Sequence, residues 1–181
     1  KKRVFGVLAW YNHFKIDAED SVELEVLPSI SSLVKDKPAI AVIRLKHISN
    51  FTDFHALHDT PEIQLIFLET PCDLSPFKAV IIPGSKNTRS DIEWLNNSGW
   101  FNKIKSYSNS KGRGFILGIC GGFQILGEYV NDPEGLEGEP GKTEGLNLLP
   151  VRTTLKAPKT TTLSKFLWND DDENSMLICS D

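Results

Sequence analysis

The sequence contains 181 residues, of which 40% are hydrophobic and 24% charged, and its formal net charge at pH 7 is −4. This composition is typical of a globular protein that is long enough to bury its own core. The acidic balance and the scattered Lys and Arg side chains argue against nucleic-acid binding, and no apolar run is long enough to cross a membrane. The cysteines are few and far apart, at Cys72, Cys120 and Cys179. They predict neither a disulfide framework nor a metal site, so we expect a cytoplasmic protein.

The first 36 residues are predicted to form a piece distinct from the rest. Residues 4–10 are an apolar run typical of a buried strand, and residues 17–21 offer capping side chains ahead of an apolar-periodic stretch that ends near Val34. Residues 35–38 are polar, charged and interrupted by proline, which indicates a boundary or linker. Because the sequence does not begin with Met, we expect that it was cut from something longer.

From residue 37 onwards, predicted strands alternate with predicted helices. Apolar runs rich in β-branched side chains predict strands at residues 39–45, 63–68, 79–82 and 115–119. Capped or periodic segments predict a short helix opened by the turn at residues 49–54, a helix capped by Thr88 that reaches about residue 97, and helices at 99–108 and 122–130. This alternation predicts an α/β fold with parallel strands, right-handed crossovers and helices on both faces. In such a sheet, sites form at the carboxyl ends of the strands.

The region after residue 130 loses this alternation. Residues 131–145 contain four glycines, two prolines and four glutamates, which predicts a loop, and residues 146–155 are a candidate strand pair. Residues 141–143 (GKT) resemble the end of a phosphate-binding loop, but the glycine required five positions earlier is Leu136, so we reject that interpretation. The acidic run at residues 170–173 is typical of a solvated tail rather than a metal site.

Cys120 lies in the spacing Gly118-x-Cys120-x-Gly122, which is that of a nucleophile elbow with sulfur in place of oxygen. A nucleophile on a sharp turn between strand and helix needs small residues two before and two after it. The N-terminus of the following helix favours the thiolate, which is the reactive form of cysteine. The alternative is a buried core cysteine in a glycine-rich turn. The predicted strand before Cys120 and the amphipathic helix after it favour the elbow.

Residues 118–127 (GICGGFQILG) resemble the nucleophile motif of the glutamine amidotransferase domain of the cobyric acid synthase family. Residues 48–54 (ISNFTDF) and residues 83–88 (PGSKNT) resemble two further stretches of that domain. Residues 145–150 resemble a later one. The order and spacing of these stretches are more specific than any one of them, and the similarity runs from the first residues to about Thr154.

The resemblance implies a class I glutamine amidotransferase-like, flavodoxin-like three-layer sandwich with a mostly parallel sheet. Residues 37–181 would be the amidotransferase domain, incomplete at its C-terminus, and residues 1–36 a C-terminal remnant of the ATP-dependent synthetase domain. The family is a ligase that forms C–N bonds: it takes ammonia from glutamine and amidates carboxylates of adenosylcobyrinic acid diamide in cobalamin biosynthesis. Glutamine and, through the synthetase domain, the corrinoid are the implied partners. ATP and Mg²⁺ would be used by the synthetase domain, with no cofactor bound by this one.

The resemblance also assigns roles to individual residues. Cys120 would be the nucleophile that forms the glutamyl thioester. Gly84, Ser85 and Gly121 would supply the backbone N–H groups that stabilise the oxyanion. For Gln124 two interpretations stay open, a contact with the bound glutamine or a polar residue facing solvent.

The histidine that this family carries downstream of its nucleophile has no counterpart here. The four histidines are His13, His47, His55 and His58, and residues 121–181 contain none. A positioned base or acid contributes on the order of 10²–10⁴-fold to such a reaction. We therefore expect the chain as given to hydrolyse glutamine very slowly or not at all, unless its C-terminus was truncated from an intact natural enzyme. His47 precedes residues 48–54, and we expect it to be a surface histidine.

Two other functions remain open. One is a related amidotransferase of the same superfamily that acts on cobyrinic acid itself or on a cell-wall precursor, against which residues 48–54 argue. The other is a non-catalytic interaction module that docks on a synthetase.

Overall fold

A computed structural model describes residues 33–110 and 115–160 of the chain, together with the backbone of residues 166–167 and 178–179. The expected synthetase remnant at residues 1–36 lies almost wholly outside the described residues, and so does the acidic run at 170–173. The assignments of both therefore stay predictions.

A four-stranded parallel sheet forms the centre of the fold. Its strands are β1 (Ala39–Ile43), β2 (Gln64–Leu68), β3 (Ala79–Ile82) and β4 (Phe115–Gly118). They lie in the order β2-β1-β3-β4, and every neighbouring pair is parallel. The predicted parallel α/β sheet is thereby confirmed, with strand bounds within two residues of those expected. The order changes direction between β1 and β3, which is where sites form in open α/β sheets.

Helices cover both faces of this sheet. A 3-10 turn (Phe51–Phe54) leads into α1 (His55–His58), and α2 (Thr88–Ser98), α3 (Trp100–Ser108) and α4 (Gly121–Leu126) follow. On one face, Ile92, Trp100 and Ile125 belong to a core cluster that includes Ile43 and Ile82 of the sheet. On the other face, Phe54 packs in a second cluster with strand residues of β1, β2 and β3. Helices on both faces of one sheet make the expected three layers.

The N-cap of α2 is Asn87, so the prediction that Thr88 caps this helix was wrong. The Asn87 side chain accepts a hydrogen bond from the backbone N–H of Ser90 at 3.0 Å. Thr88 is instead the first helical residue, and its buried hydroxyl donates a hydrogen bond to the side chain of Gln124. Both side chains are able to cap a helix, and the backbone of the preceding loop decides between them.

A second, three-stranded sheet was not predicted. It consists of β5 (Tyr129–Asp132), β6 (Gly141–Glu144) and β7 (Arg152–Thr154) in the order β6-β5-β7. The helix predicted to reach residue 130 ends at Leu126, and the predicted loop at 131–145 contains the end of β5 and all of β6. Residues 141–143, rejected above as a phosphate loop, are therefore part of a strand. A two-stranded antiparallel pair joins β8 (Phe166–Leu167) to β9 (Ile178–Cys179).

The end of α4 explains why the longer helix does not form. Gly127 adopts an extended backbone after Leu126. A Cβ placed on Gly145 would lie 2.3 Å from the carbonyl oxygen of Gly127, so two glycines let these backbones meet. The N–H of Gly145 donates to the carbonyl of Glu128 at 2.8 Å, which holds the chain in the strand direction. Within the described residues, no helix has the length and hydropathy needed to span a bilayer.

Candidate active site

Cys120 stands between β4 and α4 in a backbone conformation that is rare for a residue with a side chain. Its φ is 49° and its ψ is −108°, and it occupies the N-cap position of α4. Holding a non-glycine residue there costs on the order of 1–3 kcal/mol, and such strain concentrates at functional sites. The thiol is exposed, whereas Cys72 is partly buried. The sharp turn expected from the spacing is present.

The flanking glycines make this turn possible. A Cβ on Gly122 would lie 1.9 Å from the carbonyl oxygen of Ile82, and a Cβ on Gly118 would lie 2.6 Å from the backbone of Gly122. The N–H of Ile119 donates to that same Ile82 carbonyl at 3.0 Å. The elbow is therefore pressed against the end of β3, and no side chain fits at either glycine position without moving the backbone.

The loop at residues 83–87 follows β3 and lies beside the elbow. A Cβ on Gly84 would be 4.0 Å from the Cβ of Cys120, and a Cβ on Gly121 would be 2.9 Å from the backbone nitrogen of Ser85. The structure thus brings together Gly84, Ser85, Gly121 and Cys120, as the resemblance implied.

The backbone of Ser85 is aimed by an isolated antiparallel bridge to Ile48. On either side of this bridge, the N–H of Ser49 donates to Gly84 at 3.0 Å and the N–H of Lys86 donates to His47 at 2.8 Å. In a pair flanked in this way, the N–H of the central residue points away from its partner strand. The Ser85 N–H consequently points away from Ile48, on the side where Gly121 lies.

Two backbone donors are available beside the thiol. Among the described residues, neither the N–H of Ser85 nor that of Gly121 donates to a protein acceptor. An oxyanion hole requires N–H donors beside the nucleophile that are left for the substrate oxygen, because charge develops on that oxygen only during attack. α4 has six residues, so its contribution to the electrostatics of Cys120 comes from these first N–H groups rather than from a long helix.

A buried carboxylate lies behind the loop. Asp91, in the first turn of α2, has no exposed surface. Its Oδ2 accepts from the Ser85 hydroxyl at 2.6 Å, and its Oδ1 accepts from Nδ1 of His47 at 3.0 Å and from the His47 backbone N–H at 3.3 Å. The tautomer of His47 with the proton on Nδ1 fits this contact, because a carboxylate oxygen accepts hydrogen bonds.

The contact between His47 and Asp91 was missed by reasoning from the sequence. The His47 side chain is 41% exposed, as expected of a surface histidine, but its ring also reaches a fully buried acid. The two residues are 44 positions apart, and only the meeting of the segment after β1 with α2 makes them neighbours. The sequence offered one signal for this contact, because polar residues follow two neighbouring strands: His47 comes after β1, and Asp91 lies in the helix after β3.

Gln124 is partly buried and accepts a hydrogen bond from the Thr88 hydroxyl at 3.2 Å. It joins α4 to α2 close to the elbow, since a Cβ on Gly121 would lie 3.2 Å from the same Thr88 oxygen. A contact between Gln124 and glutamine stays a prediction.

A second buried carboxylate holds the loop after β5 against the start of α2. Asp132 accepts from the N–H groups of Leu136 at 2.9 Å and Glu137 at 2.8 Å, with the Arg89 guanidinium at 3.5 Å. Burial raises the pKa of Asp132, but the N–H donors of Glu137 and Leu136 and the charge of Arg89 outweigh it, so the pKa lies below its usual value. Asn87 donates in turn to the carbonyl of Glu137 at 3.0 Å.

The structure also contains a cavity away from this site. A cavity of about 420 Å³ lies at the amino ends of β1 and β2, lined in part by Pro38, Gln64 and Lys78, and so opens at the opposite edge of the sheet. In the part of the chain that the structure describes, no cluster of three His, Cys, Asp or Glu residues is arranged to hold a metal.

Comparison with known proteins connects this geometry to a family. Residues 39–175 match the CobB/CobQ-like glutamine amidotransferase domain. Cobyric acid synthase of Chlorobium phaeobacteroides (strain DSM 266) is 45% identical over 158 residues, and that of Chlorobaculum tepidum is 44% identical over 157 residues. Each comparison covers 86% of this chain but 31% of the relative, so the chain spans under a third of the length of these curated relatives.

Among solved structures, the structure of PurLQS from Thermotoga maritima matches with a TM-score of 0.43 and 15% identity, over 79% of this chain and 64% of that one. The class of the present chain rests on its own fold and family match. A parallel α/β sheet with a cysteine elbow at its carboxyl edge agrees with an amidotransferase domain, and the family match identifies it as one. The chain belongs to the family of CobB/CobQ-like glutamine amidotransferase domains, which confirms the resemblance drawn from its sequence.

Proposed function

We propose that Cys120 attacks the side-chain amide carbon of glutamine within the amidotransferase part of a cobyric acid synthase. The observation that carries this proposal is the strained, exposed cysteine at φ 49° beside the N–H groups of Ser85 and Gly121, which donate to no acceptor among the described residues. A cysteine that only filled space would need neither the strain nor the exposure.

The chemistry follows from this arrangement. The sulfur of Cys120 forms a bond to the amide carbon, and the amide oxygen becomes an oxyanion that accepts from Ser85 and Gly121. The C–N bond then breaks, the nitrogen takes a proton and ammonia leaves, and a γ-glutamyl thioester remains. Water hydrolyses the thioester to glutamate and restores the thiol. Residues 121–181 contain no histidine, and slow hydrolysis by the chain as given stays a prediction.

The wider role is proposed from the relatives. Those described above carry the name cobyric acid synthase, which favours this function over an amidotransferase for cobyrinic acid or for a cell-wall precursor. We place the ammonia in an ATP- and Mg²⁺-dependent amidation of adenosylcobyrinic acid diamide by a synthetase domain, in the cytoplasm, with residues 1–36 as a remnant of that domain. No cofactor is assigned to the amidotransferase domain itself.

The experiment is selective labelling with 6-diazo-5-oxo-L-norleucine, a glutamine-like diazoketone. The thiolate adds to its keto carbon, and the keto oxygen becomes an oxyanion. The adjacent diazo carbon takes a proton, the sulfur moves to that carbon as dinitrogen leaves, and the ketone forms again. Peptide mapping of the full chain should find Cys120 labelled far faster than Cys72. Burial, with Asp73 beside it, raises the pKa of the Cys72 thiol, so this residue is slow towards any electrophile.

Iodoacetamide, which does not resemble glutamine, corrects for that difference in thiol reactivity. The proposal requires the preference for Cys120 to be much larger with the diazoketone than with iodoacetamide. Equal preference with both reagents would mean that the elbow no longer recognises glutamine and that the domain is a non-catalytic module.

A further inference from the structure

Asp91 connects three segments that meet at the carboxyl edge of the sheet. It belongs to α2, its Oδ1 bonds to His47 in the segment after β1, and its Oδ2 bonds to Ser85 in the loop after β3. The side chain has no exposed surface. A buried carboxylate is unfavourable unless its oxygens accept hydrogen bonds, so the bonds from His47 and Ser85 are needed to keep it there.

These bonds fix Ser85 from its side chain as well as from its backbone. The Ser85 oxygen donates to Asp91 and accepts from the N–H of Asn87 at 3.0 Å. The neighbouring peptide groups of Gly84 and Lys86 are bonded to residues 47–49. Because the side chain of Ser85 and the peptide groups on either side of it are held, its N–H points away from Ile48 and lies beside Gly121.

Neither Asp91 nor His47 was assigned a role by the family motifs. We infer that Asp91, held by His47, is a positioning residue that aims the Ser85 N–H at the oxyanion that forms on the substrate when Cys120 attacks. This inference rests on the proposed function, because it concerns the same site. Asp91 does not touch the substrate and acts through Ser85.

The first variant is Asp91→Asn, which keeps the size of the side chain and removes its charge and one acceptor. We expect the maximal rate of Cys120 labelling by 6-diazo-5-oxo-L-norleucine to fall about 10–100-fold, as for a misplaced catalytic group. The half-saturating reagent concentration should stay unchanged, because binding is not affected. Labelling by iodoacetamide, which needs no oxyanion donor, should also stay unchanged.

Variants at His47 separate positioning from folding. His47→Ala removes the Nδ1 donor and should lower the maximal rate, whereas His47→Asn places an amide N–H near the same position and should restore most of it. Since the His47 side chain is 41% exposed, both variants leave the core intact. Equal rates in the Ala and Asn variants would overturn the role of His47 in holding Asp91.

Ser85→Ala tests the last link. It keeps the backbone N–H of Ser85 but removes the hydroxyl that bonds to Asp91. Its maximal labelling rate should therefore equal that of Asp91→Asn. The double variant should be no slower than either single one, because both changes break the same connection. Additive losses would mean that the two residues act separately.

Tyr107→Phe is the matched control for lost stability. It removes a buried hydrogen bond to the Phe77 carbonyl, just before β3 and at the opposite edge of the sheet. It should lower the melting temperature without slowing the labelling of Cys120. If the wild type shows no selective labelling, the proposed function fails. If the wild type is selective and folded Asp91→Asn labels equally fast, only the positioning role fails.

Discussion

At the scale of single residues, close packing around the elbow holds Cys120 in a strained backbone conformation. Cys120 is held at positive φ because Gly118 and Gly122 let the elbow press against the end of β3. The surrounding contacts, including the hydrogen bond from the Ile119 N–H to the Ile82 carbonyl, hold the backbone in this conformation. Cys120 is thus exposed on a turn that is held by the packing behind it, rather than on an open loop.

Gly122→Ala tests the elbow directly. The new Cβ would lie 1.9 Å from the Ile82 oxygen, a backbone atom that cannot rotate away. We expect a loss of about 1–3 kcal/mol in the free energy of unfolding, measured with urea, together with slower labelling of Cys120.

Gly141→Ala is the matched control for this substitution. Its Cβ would meet only the end of the flexible Arg89 side chain, at 2.9 Å, and the residue lies in β6. This variant should lose much less stability and keep its labelling rate. Equal losses in the two variants would show that the elbow glycine is not required by packing.

At the scale of elements, the central sheet was predictable because each strand is a continuous apolar run. β3 was predicted with its observed bounds, and α3 within one residue of its observed start. β5 and β6 were missed because residues 131–145 are rich in Gly, Pro and Glu and show no alternation. Their pairing is set by tertiary contacts, which override local propensity.

The same distinction applies to the site. The elbow spacing is encoded within five residues, and the predicted strand before it and helix after it favoured the elbow over a buried core cysteine. The bonds of Asp91 to His47 and Ser85 span 44 and 6 positions and follow no local pattern. Neighbouring parallel strands indicated only that the loops after them would meet.

The loop after β5 gives an element-scale prediction for pH. The folded pKa of Asp132 is lowered relative to an unfolded value of about 3.9. This group therefore adds stability above that unfolded value, and the contribution is lost as the pH falls through the folded pKa. In urea unfolding, Asp132→Asn should be less stable than wild type at pH 7, and the difference should shrink in acid. A difference that is constant with pH would contradict the assignment of the shift to Asp132.

At the scale of the whole molecule, the residues proposed to take part in the reaction lie together at the carboxyl edge of the central sheet. The segment after β1, the loop after β3 and the turn after β4 supply His47, Ser85 and Cys120. The second sheet contacts α2 through β6 and α4 through β5, and Arg89 of α2 bonds to Asp132, so these elements support that edge. The chain spans 31% of the length of the cobyric acid synthases described above.

The most direct test of a glutamine-specific nucleophile is competition by the substrate itself. The rate at which 6-diazo-5-oxo-L-norleucine labels Cys120 in the full chain is measured at increasing concentrations of L-glutamine, with D-glutamine as the control. A nucleophile that faces a glutamine site predicts a saturable fall in the Cys120 rate with the L isomer alone, while Cys72 is unaffected. A Cys120 rate that does not change at any L-glutamine concentration would contradict the proposal.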